Sequence, residues 1–240
     1  MDAPTVPYIS ADEMRAVDQG MVSICGISMV QMMEHAGRLL AVLAVQEFIS
    51  LADSHPVVVL VGTGGNGGGG LVCARNLSNW GFDVRVVTSR PASEFWGVTA
   101  LQFRISQRIG VPAEVAENLT ELPEARLIVD AIVGYSLDGA PTGQVARMIE
   151  MANKNAGRIL SLDVPSGIDA TTGEVFEPSI QADATLTLAL PKTAFKAKET
   201  LERCGCLYLG DIGVPPSLYL ELGIEVYESP FVTSSIVRLH

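Results

Sequence analysis

The chain predicts an α/β fold of Rossmann-like, doubly wound type: a three-layer α/β/α sandwich around a mostly parallel sheet, preceded by two N-terminal helices. Three observations carry that expectation. From residue 56 onward short apolar runs alternate with helix-period stretches, and such runs read as parallel strands buried on both faces. The stretch GTGGNGGGG at 62–70 lies between the first apolar run, PVVVLV, and the helical pattern LVCARNLSNWG. Neither an internal repeat nor a low-complexity segment or linker interrupts the series, so 1–240 reads as one domain.

The first helix opens at Ala11, capped by Ser10, and the second carries apolar residues at helical spacing over 29–48. The sheet begins with a strand over 56–61, then a helix over 71–80, a strand over 83–88 and a helix over 96–107. Strands follow over 111–115, 126–131, 158–163, 183–190 and 206–209, with a last one over 224–227. A helix over 144–155 separates the fourth strand from the fifth.

Composition narrows the function. Lys and Arg number 16 against 27 Asp and Glu, a formal charge of -11. A general attraction to nucleic acid or an anionic membrane would have to overcome that field, so a small-molecule ligand is expected. The opening MDAPTVPYISADE lacks the basic and apolar segments of a secretory signal, and Glu34, His35 and Arg38 interrupt the apolar stretch ISMVQMMEHAGRLLAVLAV. Both point to a soluble, cytoplasmic protein without a membrane span. Cys25, Cys73, Cys204 and Cys206 form no CxxC pair and have no histidines at ligand spacing, so reduced thiols are expected. Cys204 and Cys206, one residue apart, are the pair that a strained bridge or a soft metal could use.

In a doubly wound sheet, ligands settle outside the carboxyl ends of the strands, where strand order reverses. The residues there are Asn66 in the glycine stretch, Asp130 with the turn GYSLDGAP, and Asp163 with VPSG, which contains Ser166. GTGGNG satisfies G-x-G-x-x-G and could carry a pyrophosphate at a helix N-terminus. The second strand, however, ends Val86-Val87-Thr88-Ser89-Arg90 with no acid for a ribose, which argues against an ordinary NAD dehydrogenase. Taken singly, Asn66 also reads as a turn residue, and Asp130, Asp163 and Ser166 as caps. Taken together, an amide oxygen, a carboxylate and a hydroxyl suit a hard, weakly bound cation, and potassium better than a divalent ion.

The stretches YISADEMRAVDQ, GISMVQMMEHAGR, GTGGNGGGGLVCARNL, VDAIVGYSLDGAPTG, LSLDVPSGIDATTGEV and GDIGVPPSLYLELGI span nearly the whole chain. In them it resembles the YjeF N-terminal domain family, the NAD(P)H-hydrate epimerases. LDVPSGIDATTGEV is the most specific of these. The family's loop reads GxGNNGGDG, whereas this chain has Gly65 in place of the first Asn and Gly69 in place of the Asp.

That resemblance implies one K+ per subunit on Asn66, Asp130 and Ser166. It places the hydrated dinucleotide, NADHX or NADPHX, against Gly65, Asn66, Gly67, Gly68 and Gly69, the turn Gly134, Tyr135, Ser136, Leu137, Asp138, Gly139 and Ala140, and Asp163. The implied reaction interconverts the R and S hydrates, with Asp163 as general acid to the departing hydroxyl and general base to the entering water. Lys192 reads as a solvated helix start, with a phosphate contact as the alternative. The resemblance further implies a homodimer and an ATP- or ADP-dependent dehydratase acting in trans. Gly65 and Gly69 imply weakened turnover, or a non-catalytic nucleotide-binding or protein-interaction module on the same fold.

Overall fold

The structure, a computed structural model, describes residues 6–240. Two helices, α1 (Ala11–Ser23) and α2 (Met29–Glu47), precede the sheet, and each starts on a reciprocal cap. Ser10 and Glu13 exchange side-chain and backbone bonds at the first, Ser28 and Gln31 at the second, satisfying amide groups that a helix start leaves free.

Eight strands follow: β1 (Val57–Val61), β2 (Val84–Thr88), β3 (Ala113–Val115), β4 (Leu127–Ala131), β5 (Arg158–Leu162), β6 (Ala184–Leu188), β7 (Cys206–Gly210) and β8 (Ile236–Arg238). They form one sheet in the order β3-β2-β1-β4-β5-β6-β7-β8. All neighbours are parallel except β7 and β8. Strand order reverses between β1 and β4, so the ends of β1, β4 and β5 lie side by side.

Alternation along the strands divides the core. Val57, Val59, Val61, Leu127 and Val129 pack on one face with Leu40, Leu43 and Leu71. Val58, Leu60, Ile128 and Ile159 pack on the other with Met148, Ile149 and Ala152 of α5 (Gly143–Lys154). A third apolar cluster joins Met14, Val17 and Met21 of α1 to Ile212, Leu218 and Tyr219. The first helix therefore folds back over the residues that follow β6 and β7.

Two elements differ from the sequence expectation. The helix after β1, α3 (Gly65–Asn79), begins at Gly65 and not near residue 71, so the glycines form its first turns. Glycine is a poor helix former, but these are packing positions. A methyl group on Gly67 would lie 1.9 Å from the carbonyl oxygen of Gly62, and one on Gly70 2.5 Å from Cβ of Ala131. On the facing helix, a methyl on Gly37 would lie 2.4 Å from the Gly69 carbonyl oxygen. Close approach of α3 to the sheet and to α2 outweighs propensity.

The second difference is at the sheet edge. Residues 224–227 form no strand. The Ile224 amide instead bonds the Tyr219 carbonyl at 2.8 Å, closing the end of α7 (Pro216–Glu221), and Ile224 packs into the third cluster. The open edge of β7 is taken by Ile236–Arg238, running antiparallel. All four cysteines are free thiols, so Cys204 and Cys206 form no bridge, and burial pushes the Cys204 thiol up to about 12. Among the described residues no helix is long and apolar enough to cross a membrane.

Gly67 and Gly65 make a controlled comparison. Gly67→Ala should cost about 1–3 kcal/mol in urea unfolding, because the added methyl meets backbone that cannot yield. Gly65→Ala meets only Met33 Cε, at 3.8 Å, and should be neutral or stabilising by about 0.5–1 kcal/mol.

Candidate active site

At the point where strand order reverses, a cavity of about 240 Å³ opens between the strand ends and α1 and α2. Gly65, Asn66, Gly69, Gly134, Tyr135, Ser136 and Asp163 line it. Gly67 and Gly68 sit beneath it, under Gly62 and Met33. Leu137, Asp138, Gly139 and Ala140 do not line it and continue the turn toward solvent. Most of the remaining wall is apolar, with Met14, Met29, Met32 and Met33 on the two helices. Such adaptable thioether walls suit a flat, partly apolar ring.

Asp163 follows β5 with φ 70, a conformation rare for a residue with a side chain. It is the middle of a three-residue turn closed by the Val164 amide on the Leu162 carbonyl at 3.0 Å. Ala189 repeats the turn after β6, with φ 62 and the Leu190 amide on the Leu188 carbonyl at 2.7 Å. Backbone of this kind is strained by about 1–3 kcal/mol and persists where its surroundings hold it.

Lys192 is what these two turns enclose. Its Nζ lies 2.6 Å from Asp163 Oδ1, with side-chain exposures of 0% and 5%. The solvated helix start expected from the sequence is thereby corrected. Ile9 bridges to residue 192, and its amide donates to the Pro191 carbonyl at 2.9 Å, so the N-terminal segment covers the lysine. Protons of the ammonium go to the carbonyl oxygens of Leu188 and Leu190, at 2.9 and 3.3 Å. Asp163 Oδ2 accepts from the Tyr135 amide at 2.9 Å, while Oδ1 is buried against the Lys192 ammonium. The lysine therefore holds Oδ1 by a short charge-assisted contact, and Oδ2, met by one backbone amide, is the oxygen with acceptor capacity left.

Asp130 and Ser166 meet behind this turn. Ser166 donates from Oγ to Asp130 Oδ1 at 2.6 Å and from its amide to Oδ2 at 2.9 Å. Ser161 Oγ donates to Oδ2 at 2.8 Å across the β4–β5 register. Burial pushes the Asp130 carboxyl up, and hydrogen bonds from Ser166, Ser161 and Ile132 pull it back only in part. Asn66 stands in the first turn of α3, where a methyl on Gly134 would come within 3.1 Å of its Oδ1. Its Nδ2 is buried without a partner, and among the described residues no hydrogen bond joins Asn66 to Asp130 or Ser166.

One site residue escapes sequence reasoning. Asp18 of α1 lines the cavity one turn after Met14, and its Oδ2 accepts from the Tyr135 phenol at 2.5 Å. Burial pushes its carboxyl up, against the lowering pull of Tyr135 and Lys192, and the Asp163 charge adds to the rise. The available signal was its position: one acid set into the buried stripe Met14, Val17, Met21.

The two loop departures have different settings. Gly65 is open, while a methyl on Gly69 would come within 2.8 Å of Leu162 Cδ2. Leucine thus fills the space that a side chain at 69 would need.

An open, doubly wound sheet with an acid-bearing, methionine-walled cavity at its switch point defines a Rossmann-like α/β protein with a pocket of small-ligand size. Residues 29–194 match the model of the family described as YjeF-related protein N-terminus. The chain belongs to that family. It is 41% identical over 99% of its length, and 95% of the relative's, to a protein of Dehalogenimonas lykanthroporepellens named NAD(P)H-hydrate epimerase. A protein of the same name in Truepera radiovictrix is 35% identical over 88% of this chain and 92% of the relative. The crystal structure of a yeast protein superimposes with a TM-score of 0.80 at 26% identity, covering 98% of this chain and 100% of that one.

Lys192→Met should leave a buried carboxylate unpaired and cost about 3–5 kcal/mol in urea unfolding at neutral pH. Adding Asp163→Asn to that variant should restore part of the loss, because no buried charge then remains.

Proposed function

We propose that this chain is an NAD(P)H-hydrate epimerase that interconverts the R and S hydrates of NADH and NADPH, a cofactor-repair isomerase. The observation that carries the reading is Asp163, a carboxylate ion-paired with Lys192 in the wall of a ring-sized cavity at the switch point. Family membership and the names of the relatives support it.

The substrate bears a hydroxyl on the ring carbon next to nitrogen. Its loss leaves an iminium cation, which water can enter from either face. Asp163 stabilises that cation by charge and takes the proton of the entering water. Lys192 holds the carboxylate in place, Tyr135 orients it through its amide, and the methionines exclude bulk water from the ring. The free amide groups at the start of α3 offer an anion site for the substrate's phosphates. Leu137–Ala140 lie where the outer part of a dinucleotide would pass.

Potassium belongs to the same reading. Asn66, Asp130 and Ser166 would hold it, and their chemistry fits. The set is all oxygen with one carboxylate, and Asp130 is fully buried. An ion there would supply the positive charge that a buried carboxylate lacks. Ser166 Oγ also lies 3.0 Å from the Val133 carbonyl, so its proton has a second acceptor when Asp130 turns to a cation. The expected homodimer, and a dehydratase working in trans, complete the proposal. Support for the latter is that a bifunctional NAD(P)H-hydrate repair enzyme of Moorella thermoacetica matches this chain over 41% of its own length.

The direct test mixes purified protein with the R-hydrate and follows formation of the S-hydrate by chromatography. Catalysed interconversion is expected, and its absence with NADPH binding intact would mark a nucleotide-binding module instead. Asp163→Asn should lower the rate about 10²–10⁴-fold, and a loss under about threefold would remove Asp163 from the mechanism. For the ion, crystals soaked in rubidium should show an anomalous peak among Asn66, Asp130 and Ser166. No peak at saturating salt would sink the potassium site.

A further inference from the structure

We infer that Asp18 is a second catalytic residue of this cavity, serving the proton on one face of the substrate ring while Asp163 serves the other. The inference rests on the epimerase reading and concerns a step that one carboxylate leaves unfilled. Inversion at a single carbon needs the hydroxyl to leave from one face and water to enter from the opposite one. A lone carboxylate beside one face handles departure and re-entry there, which exchanges oxygen and inverts nothing. Asp163 is moreover ion-paired with Lys192, so its resting form is the base, and it serves as an acid only after it has taken a proton.

Asp18 supplies the complementary group. It comes from α1, whereas Asp163 comes from the end of β5, and both line the cavity. Tyr135 spans the two: its amide donates to Asp163 Oδ2 at 2.9 Å and its phenol to Asp18 Oδ2 at 2.5 Å. The charged groups acting on Asp18 are Lys192 and Asp163, with Arg15 acting on Tyr135 from the same helix. Among the described residues no ion pair holds Asp18 in its charged form, and burial favours the neutral acid. Its Oδ2 can accept the Tyr135 phenol while Oδ1 carries a proton. Two titratable groups whose surroundings favour opposite protonation states divide naturally into acid and base.

The step balances as follows. The Asp18 carboxyl gives its proton to the hydroxyl oxygen, and the C–O bond breaks with both electrons on the departing water. The ring nitrogen's lone pair forms the iminium C=N bond. Water then adds its oxygen to the same carbon from the Asp163 face, the C=N pair returns to nitrogen, and Asp163 takes the proton. Lys192 stays protonated and nothing is oxidised or reduced. The reverse reaction exchanges the two roles, and water in the open cavity returns the proton from Asp163 to Asp18.

Oxygen exchange separates this scheme from a one-carboxylate site. Each hydrate is incubated in H2(18)O with wild type, Asp18→Asn or Asp163→Asn, and inversion and label are read by chromatography and mass spectrometry after subtraction of a protein-free blank. Wild type should invert and label both hydrates. Asp18→Asn should invert about 10²–10⁴-fold more slowly yet still label one hydrate without inverting it. Asp163→Asn should label the other. Asparagine preserves the shape and the Tyr135 contact, and Asp18→Glu, which restores an acid, should regain at least about tenfold over Asp18→Asn, as expected when a general acid is returned. Inversion by Asp18→Asn within about threefold of wild type, or both variants labelling the same hydrate, overturns the second acid and leaves the epimerase reading standing. A wild type that inverts neither hydrate overturns both.

Discussion

A lysine ammonium and an aspartate carboxylate, both sealed from water, organise this molecule. Removing either charge from solvent is expensive, and their attraction repays that only with close geometry and further hydrogen bonds. Lys192 and Asp163 have both. The carbonyl groups that meet the ammonium belong to the turn after β6, the carboxylate follows β5, and Ile9 covers the pair from outside. The same contact therefore joins two strand ends, closes the N-terminal segment over the sheet and holds a carboxylate against the cavity. Strain at Asp163 and Ala189 is what this arrangement sustains.

The glycine helix supplies the other boundary. Side chains along its first turns would push it away from β1, β4 and α2, and the cavity would lose its floor. Stripped of them, α3 presents amide groups at the strand ends, close to where the carboxylates stand. Glycine here serves close approach of one element to another, since none of residues 62–70 has the positive φ that would make it a turn requirement. The space at Gly69 is filled by Leu162, so the loss of a loop acid is matched by an apolar contact.

The cavity sets its acids in unlike surroundings. Asp130 is fully buried and enclosed by donors from Ser161 and Ser166. Asp163 is matched by an ammonium, and Asp18 meets a phenol in a wall rich in methionine. Differences of this kind decide which group carries a proton and which carries a charge.

Much of this was legible in the chain. Alternation of apolar runs with helix-period stretches determined the α/β class, and strand-end position singled out Asn66, Asp130, Asp163 and Ser166, because in a parallel sheet the ligand side is set by chain direction. Periodicity did not reveal where α3 begins, since glycine's low helix propensity is overridden only by neighbours distant in sequence. Nor did it find β8, whose pairing depends on which segment reaches the free edge of β7. Lys192 and Asp18 give no sequence signal of burial for the same reason. A charged side chain defaults to water in a sequence, and only the tertiary structure, by bringing Ile9 over Lys192 and α1 over the strand ends, decides that it is buried beside a partner.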